Sequence, residues 1–207
     1  MDKIDKVFYI NLKHREDRRS EIETELKTNF LYDNAERYEA VLHESPILGC
    51  TMSHITLWRN MIQNNWNTMM VIEDDAILQT TRQNLDSYIN AFLEDPNSDL
   101  LSISNSCGEY IHYNQFFDRA QNSQTSSCYI VKLHAVKNLI PYYFKNPDDI
   151  YTLKEDDPEL AQKIYWIDVA WNEYQKKYNF LIPKQQKIVI QRRSYSDIQR
   201  KVVFYNL

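Results

Sequence analysis

Glycine is nearly missing from this sequence: Gly49 and Gly108 are the only two among 207 residues. A P-loop or a dinucleotide-binding turn needs several glycines where the backbone meets the phosphates, so both are excluded, and any nucleotide must be held another way. No stretch reaches the roughly 20 apolar residues of a membrane span, and Met1-Asp2-Lys3-Ile4-Asp5-Lys6 lacks the apolar core of a secretory signal. No transmembrane segment and a cytosolic location are therefore expected. Cys50, Cys107 and Cys128 are odd in number and show no paired spacing, which indicates neither a disulfide framework nor a zinc knuckle. Buried, reduced thiols are expected. There is also no block of positive charge: the net charge of -5 spreads over both signs, so a nucleic-acid partner is not expected.

What is present describes one well-packed domain, 1–207. Apolar residues at 43% and charged residues at 26% offset the ordering entropy that keeps polar chains unfolded. Lys6 to Leu12 reads as a central strand, and Arg15 to Phe30 as a surface helix with Ile22, Leu26 and Phe30 on one stripe. A short strand is expected over 38–42, with Pro46 to Gly49 punctuating the chain before a helix from Thr51 to about Trp66. That helix has Ile55, Trp58, Ile62 and Asn65 on one face and Thr51 or Ser53 at its cap. Thr68 to Ile72 has no polar face to spare, as in a strand covered on both sides. A helix around 85–93, closed by Pro96, precedes a strand over 99–104. Further strands are expected at 127–133, 180–182 and 187–191, with helices at 134–144, interrupted near Pro141, and from Ile167 to Tyr178. Strands and helices alternating at these intervals predict an α/β fold, a mainly parallel central sheet with helices on both faces and ligand sites at the carboxyl ends of the strands.

At the end of the doubly covered strand stand Glu73, Asp74 and Asp75. Three adjacent carboxylates repel one another, and a hard divalent cation relieves this by taking one or two of them together with phosphate oxygens and water. Strand alternation puts Glu73 and Asp75 on one side as the candidate metal ligands and turns Asp74 toward a donor ribose or sugar. The plain alternative is a solvated turn that caps the next helix. At the exit of the first strand, Asn11, Arg15, Arg18 and Arg19 gather at a helix start, where cations oppose the dipole and invite an anion such as a pyrophosphate. Pairing with Glu16, Asp17 or Glu21 is the competing explanation.

Several ordered motifs carry a resemblance. Phe8-Tyr9-Ile10-Asn11-Leu12, Arg15 with Asp17-Arg18, Gly49-Cys50 with Ser53-His54, and Val71-Ile72-Glu73-Asp74-Asp75 together resemble the family 25 glycosyltransferases. Ser127 to Val131 with Ala135, and Gln191 with Ser196-Asp197-Ile198, extend the likeness across nearly the whole chain. One departure is that Ser126 to Cys128 stand where the family usually has glycines. The resemblance implies a GT-A type nucleotide-sugar-binding fold, a UDP-sugar donor, Mn²⁺ or Mg²⁺ at the acidic motif, and inverting transfer of a hexose to a glycan or glycoprotein acceptor. It assigns Asn11, Arg15 and Arg18 to the donor site.

Inverting transfer needs a base for the acceptor hydroxyl. Asp168, among Trp166, Ile167, Val169 and Ala170, is the candidate, because an apolar setting raises a carboxyl pKa into a useful range. Asp156, Asp157 and Asp197 are rivals. His54 is a candidate for orienting a phosphate or a motif carboxylate, and Tyr129 is the first aromatic to consider for stacking on a sugar. Two other functions compete: a glycosyltransferase-like scaffold that binds without turnover, and a metal-dependent phosphoesterase, which calls for a second cluster of His and Asp ligands.

Overall fold

The computed structural model describes residues 4–30, 35–143, 166–184, 188–196 and 201–203. Eight strands form the central sheet. In chain order they are β1 (Lys6–Asn11), β2 (Glu36–Glu39), β3 (Thr68–Glu73), β5 (Leu100–Ser102), β6 (Ser106–His112), β7 (Phe117–Gln124), β8 (Cys128–Lys132) and β9 (Phe180–Pro183). Their spatial order is β2-β1-β3-β8-β5-β9-β7-β6. Six of these strands run in one direction, while β8 and β7 oppose them. Beside the sheet, β4 (Ala76–Leu78) pairs antiparallel with β10 (Val189–Gln191), and β11 (Ser194–Ser196) with β12 (Lys201–Val203).

Alternation along the strands divides the core into two layers. Val7, Tyr9, Met70, Ile72, Ile130 and Leu181 face α1 (Glu16–Glu25, continued by a π-helical turn at Leu26–Phe30) and α3 (Arg82–Glu94). Phe8, Ile10, Met69, Val71, Tyr129, Val131 and Phe180 face α2 (Pro46–Asn64), α4 (Leu133–Tyr143) and the short helices α5 (Ile167–Ala170) and α6 (Asn172–Gln175). Strands apolar on both faces are the physical reason for helices on both sides, as the sequence predicts.

Helix α2 begins five residues before the expected Thr51. Pro46 is its first residue rather than a stop, since a proline loses nothing where the helix has no N–H partner to offer. Asn65 does not continue the apolar face but ends the helix in the left-handed conformation, φ 53°. Gly49 lies inside α2 because the chain before it passes so close: a Cβ there would stand 2.6 Å from the Val41 carbonyl oxygen. The Ser53 hydroxyl donates to the Gly49 carbonyl (2.7 Å) and accepts the Val41 N–H (2.9 Å), which fastens the chain to the helix. Elsewhere α4 runs through Pro141 to Tyr143, and the expected 167–178 helix is two short pieces joined at Trp171. The hairpin of β6 and β7 lies where no element is expected. No helix among the described residues is long and apolar enough to cross a membrane.

Candidate active site

Pairing register builds the site. Ile10 of β1 lies opposite Glu73 of the parallel β3, so the next residues of the two strands, Asn11 and Asp74, emerge side by side. Asn11 donates from Nδ2 to Asp74 Oδ2 (2.8 Å), and Arg18, one turn into α1, donates to Asp74 Oδ1 (2.9 Å). Arg37 on β2 donates to Asn11 Oδ1 (3.1 Å), which fixes the amide's orientation. Both oxygens of Asp74 are thereby engaged. Arg15 stands at the N-cap position of α1 without a capping side-chain bond and pairs with Asp17 (2.9 Å), as the competing explanation of the sequence has it.

Glu73 points the other way, into the α2 face. Its neighbour β8 runs antiparallel to β3, so the residues before β8 arrive beside the end of β3, and the Glu73 N–H donates to the Ser127 carbonyl (2.8 Å). Ser126 then donates to Glu73 Oε1 (2.8 Å), and His54 Nε2 approaches the same oxygen at 3.3 Å. Behind His54, Nδ1 meets the Tyr129 hydroxyl at 3.0 Å, and the Trp58 indole N–H donates to that hydroxyl at 2.9 Å. Tyr129 is 0% exposed and packs edge-on against Trp58 and Trp171, so it cannot stack on a sugar. His54, equally enclosed, acts on the Glu73 carboxylate and presents no edge to a phosphate.

Asp75 lies at the turn between β3 and β4. The pairing of Gln191 with Ala76 brings β10 alongside; Gln191 Nε2 reaches Asp75 Oδ2 at 3.4 Å and the Arg192 N–H donates to the Asp75 carbonyl. Arg18 stands 3.8 Å from Oδ2. Oδ1 is buried and has no hydrogen-bond partner among the described residues. A buried carboxylate oxygen without a donor is a place where a cation fits, and carboxylate oxygen is the ligand type that Mg²⁺ and Mn²⁺ prefer.

Asp168, in the first turn of α5, accepts the Thr125 N–H at Oδ2 (3.1 Å). Thr125 holds φ 84° in the link between β7 and β8, and Trp171 and Gln175 bind the Ser123 carbonyl at 2.9 and 2.7 Å, so α5 and α6 are tied to the same corner as Ser126. Asp156, Asp157 and Asp197 lie outside the described residues.

The model of glycosyltransferase family 25 (LPS biosynthesis protein) matches residues 44–195, well over half of the chain. The chain belongs to glycosyltransferase family 25. No curated protein sequence matches it. Among solved structures, mannose-1-phosphate geranyltransferase from Thermus thermophilus superimposes with a TM-score of 0.50 at 8% identity, over 85% of this chain; the chain spans 58% of that protein's length. A197 from STIV gives 0.48 at 12% identity over 97% of this chain and 94% of that one. A glycosyltransferase involved in the glycosylation of the major capsid of PBCV-1 gives 0.40 at 11% identity, over 87% and 92%. The fold is α/β of the GT-A type, with strand ends gathering the site as in open α/β sheets generally.

In this family 25 glycosyltransferase the adjacent acids are held in different states. Burial opposes charge on Glu73, but the hydrogen bonds from His54 and Ser126 outweigh it and hold the carboxyl below its ordinary value. Burial and the Glu73 charge push Asp75 up to about 7. Burial also raises Asp74, against the pull of Arg18 and Asn11. Asp168 is raised by burial, which its Thr125 hydrogen bond only partly opposes, and the Glu73 charge adds to the rise. Ser126 supplies one of the two side-chain hydrogen bonds that hold Glu73 below its ordinary value. Of the partners that complete the site, Arg37 has no sequence signal and is brought in by the pairing of β2 with β1, whereas Ser126 arrives with the link before β8 and Trp58 with α2.

Proposed function

We propose that the protein transfers a hexose, galactose or glucose, from a UDP-sugar to a hydroxyl of a glycan or glycoprotein, with inversion and with a divalent cation. The observation that carries this reading is the buried Asp75 Oδ1, without a hydrogen-bond partner among the described residues, beside two further carboxylates at the ends of the central strands. Asp75 would hold Mn²⁺ or Mg²⁺, with Glu73, whose side chain is 21% exposed, within its shell. Bound there, the cation would neutralise the charge that develops on the departing diphosphate, as a Lewis acid does.

The chain's own residues divide the remaining work. Arg18 keeps positive charge at the exit of β1, where the diphosphate oxygens approach, and Arg15 stands at the same helix start. Asn11 and Asp74 lock each other into a polar edge for the ribose or the sugar. Asp168 takes the proton of the acceptor hydroxyl, since a carboxyl raised by burial accepts a proton at lower thermodynamic cost than an exposed one. The test is turnover: a panel of UDP-sugars with Mn²⁺, scored for UDP release with and without hydroxyl acceptors. Metal-dependent release supports transfer. Binding of UDP-sugars without any turnover favours the non-catalytic scaffold instead.

A further inference from the structure

Helix α2 carries Cys50 and His54 one turn apart, so the two side chains share a face, and that face meets the end of β3 where Glu73 emerges. The Cys50 thiol sulfur, an imidazole nitrogen of His54 and a carboxylate oxygen of Glu73 all lie within 4.8 Å of one another. The His54 Nε2 to Glu73 Oε1 distance of 3.3 Å already matches the edge of a tetrahedron. Nitrogen and oxygen ligands about 2.0–2.2 Å from a zinc ion stand roughly that far apart. Sulfur, nitrogen and oxygen together form a donor set that suits zinc and not Mg²⁺ or Mn²⁺, which prefer oxygen alone.

Supporting contacts are in place as well. A metal-bound histidine usually fixes its other ring nitrogen on a hydrogen-bond partner, and here Nδ1 faces the Tyr129 hydroxyl at 3.0 Å. That hydroxyl oxygen has two lone pairs; Trp58 takes one, and the other accepts Nδ1–H when Nε2 turns its own lone pair to a metal. Ser126 donates to the same oxygen, Glu73 Oε1, at 2.8 Å and steadies the carboxylate. Cys50 and Glu73 are half-buried while His54 is enclosed, so an ion enters between the thiol and the carboxylate.

We propose that Cys50, His54 and Glu73 form a zinc site, with the fourth position left to water, and that zinc bound there stops sugar transfer by withdrawing Glu73 from the donor site. The Cys50–Sγ–H proton leaves to solvent as the sulfur–zinc bond forms, and no electron is transferred. The inhibitory half of this inference rests on the functional reading above; the binding half does not.

The test uses the full chain with Co²⁺ as the spectroscopic stand-in for zinc. The wild type is expected to show a thiolate-to-cobalt charge-transfer absorption that Zn²⁺ displaces, and Cys50→Ser to lose it and to bind Zn²⁺ at least about tenfold more weakly. Absence of the band in the wild type, or a band unchanged in Cys50→Ser, overturns the site. In the Mn²⁺-supported assay, Zn²⁺ is expected to inhibit the wild type at concentrations about tenfold below those that inhibit Cys50→Ser. Equal inhibition of the two proteins overturns the inhibitory role, and the cobalt result stands apart from whether UDP-sugars turn over at all.

Discussion

The Tyr129 hydroxyl lies 3.0 Å from His54 Nδ1 in the core, and on the other side of the ring Nε2 reaches the half-buried Glu73 carboxylate at 3.3 Å. The hydroxyl oxygen accepts the Trp58 N–H, and when its own proton is given to Nδ1 the ring N–H lies at Nε2, facing Glu73. The aromatic pair is thus part of the site's electrostatics as well as of its packing.

Tyr129→Phe should therefore act in two ways. It leaves the Trp58 N–H and His54 Nδ1 without their partner, at a cost of about 1–3 kcal/mol in urea unfolding. It also loosens His54, which weakens one of the bonds that lower Glu73. The acid limb of the kcat/KM profile should move to higher pH. An unmoved limb would mean that His54 does not depend on Tyr129.

Arg18→Ala leaves Asp74 and Asp75 facing each other without their cation. Breaking one side of a buried pair costs about 3–5 kcal/mol, because the remaining charge is stranded. Both acids already sit above their ordinary values, and the loss of Arg18 raises them further. Protonation relieves the stranded charge, so the variant should be much less stable than the wild type at pH 8 and closer to it at pH 5, as read by urea unfolding at the two pH values.

Asp75→Asn should stabilise the metal-free protein at alkaline pH. The folded carboxyl titrates near 7 against an ordinary value of 3.8, so between those values the folded state binds the extra proton. Its contribution is complete below the lower value and is lost as pH climbs through the upper one. An asparagine has no such loss. Melting curves without divalent ions should coincide near pH 4 and separate above pH 7, the variant melting higher; a wild type that melts higher at pH 8 would contradict the assignment.

Asp168→Asn keeps an oxygen for the Thr125 N–H and so should keep the fold, with a melting temperature within about 2 °C of wild type. Loss of a positioned general base costs typically 10²–10⁴ in rate. UDP-sugar transfer should fall by that much with the donor KM little changed. A variant of full activity would move the base elsewhere, Asp197 being the next to try.

Legibility in the sequence follows burial. Strands β1 and β3 are readable because both faces are covered, and Val7 to Ile10 or Met69 to Ile72 leave no polar position to misread. The hairpin of β6 and β7 is illegible for the opposite reason: Ser106 to His112 is mostly exposed and polar, and only its pairing makes it a strand. Helix α2 is half legible. Its apolar stripe shows, but Pro46 reads alike as a stop or as a first residue, and only the turn before it decides.

Within the site, the three acids and Asp168 are visible as charges in apolar company. Their division of labour is not, because Glu73 and Asp75 differ through residues far away in the chain: Ser126 and His54 for one, Gln191 and Arg18 for the other. A one-dimensional reading places Glu73 and Asp75 on one side by strand alternation. The strand ends at Glu73, however, and the turn gives Asp75 its own neighbours on β10 while leaving it within reach of the Glu73 charge. Tyr129 stands out in the sequence as an aromatic for a sugar to stack on, and the structure gives it a different use.

The central claim is that Asp75 anchors a divalent cation and, through it, a diphosphate. Thermal unfolding of wild type and Asp75→Ala with UDP, with and without Mn²⁺, tests it most directly. For the wild type, Mn²⁺ and UDP together at about 100 times their dissociation constant should stabilise the fold by about 2.7 kcal/mol, more than UDP alone. Asp75→Ala should lose the Mn²⁺-dependent part. A manganese-dependent shift of the same size in both proteins, or none in the wild type, would contradict the claim.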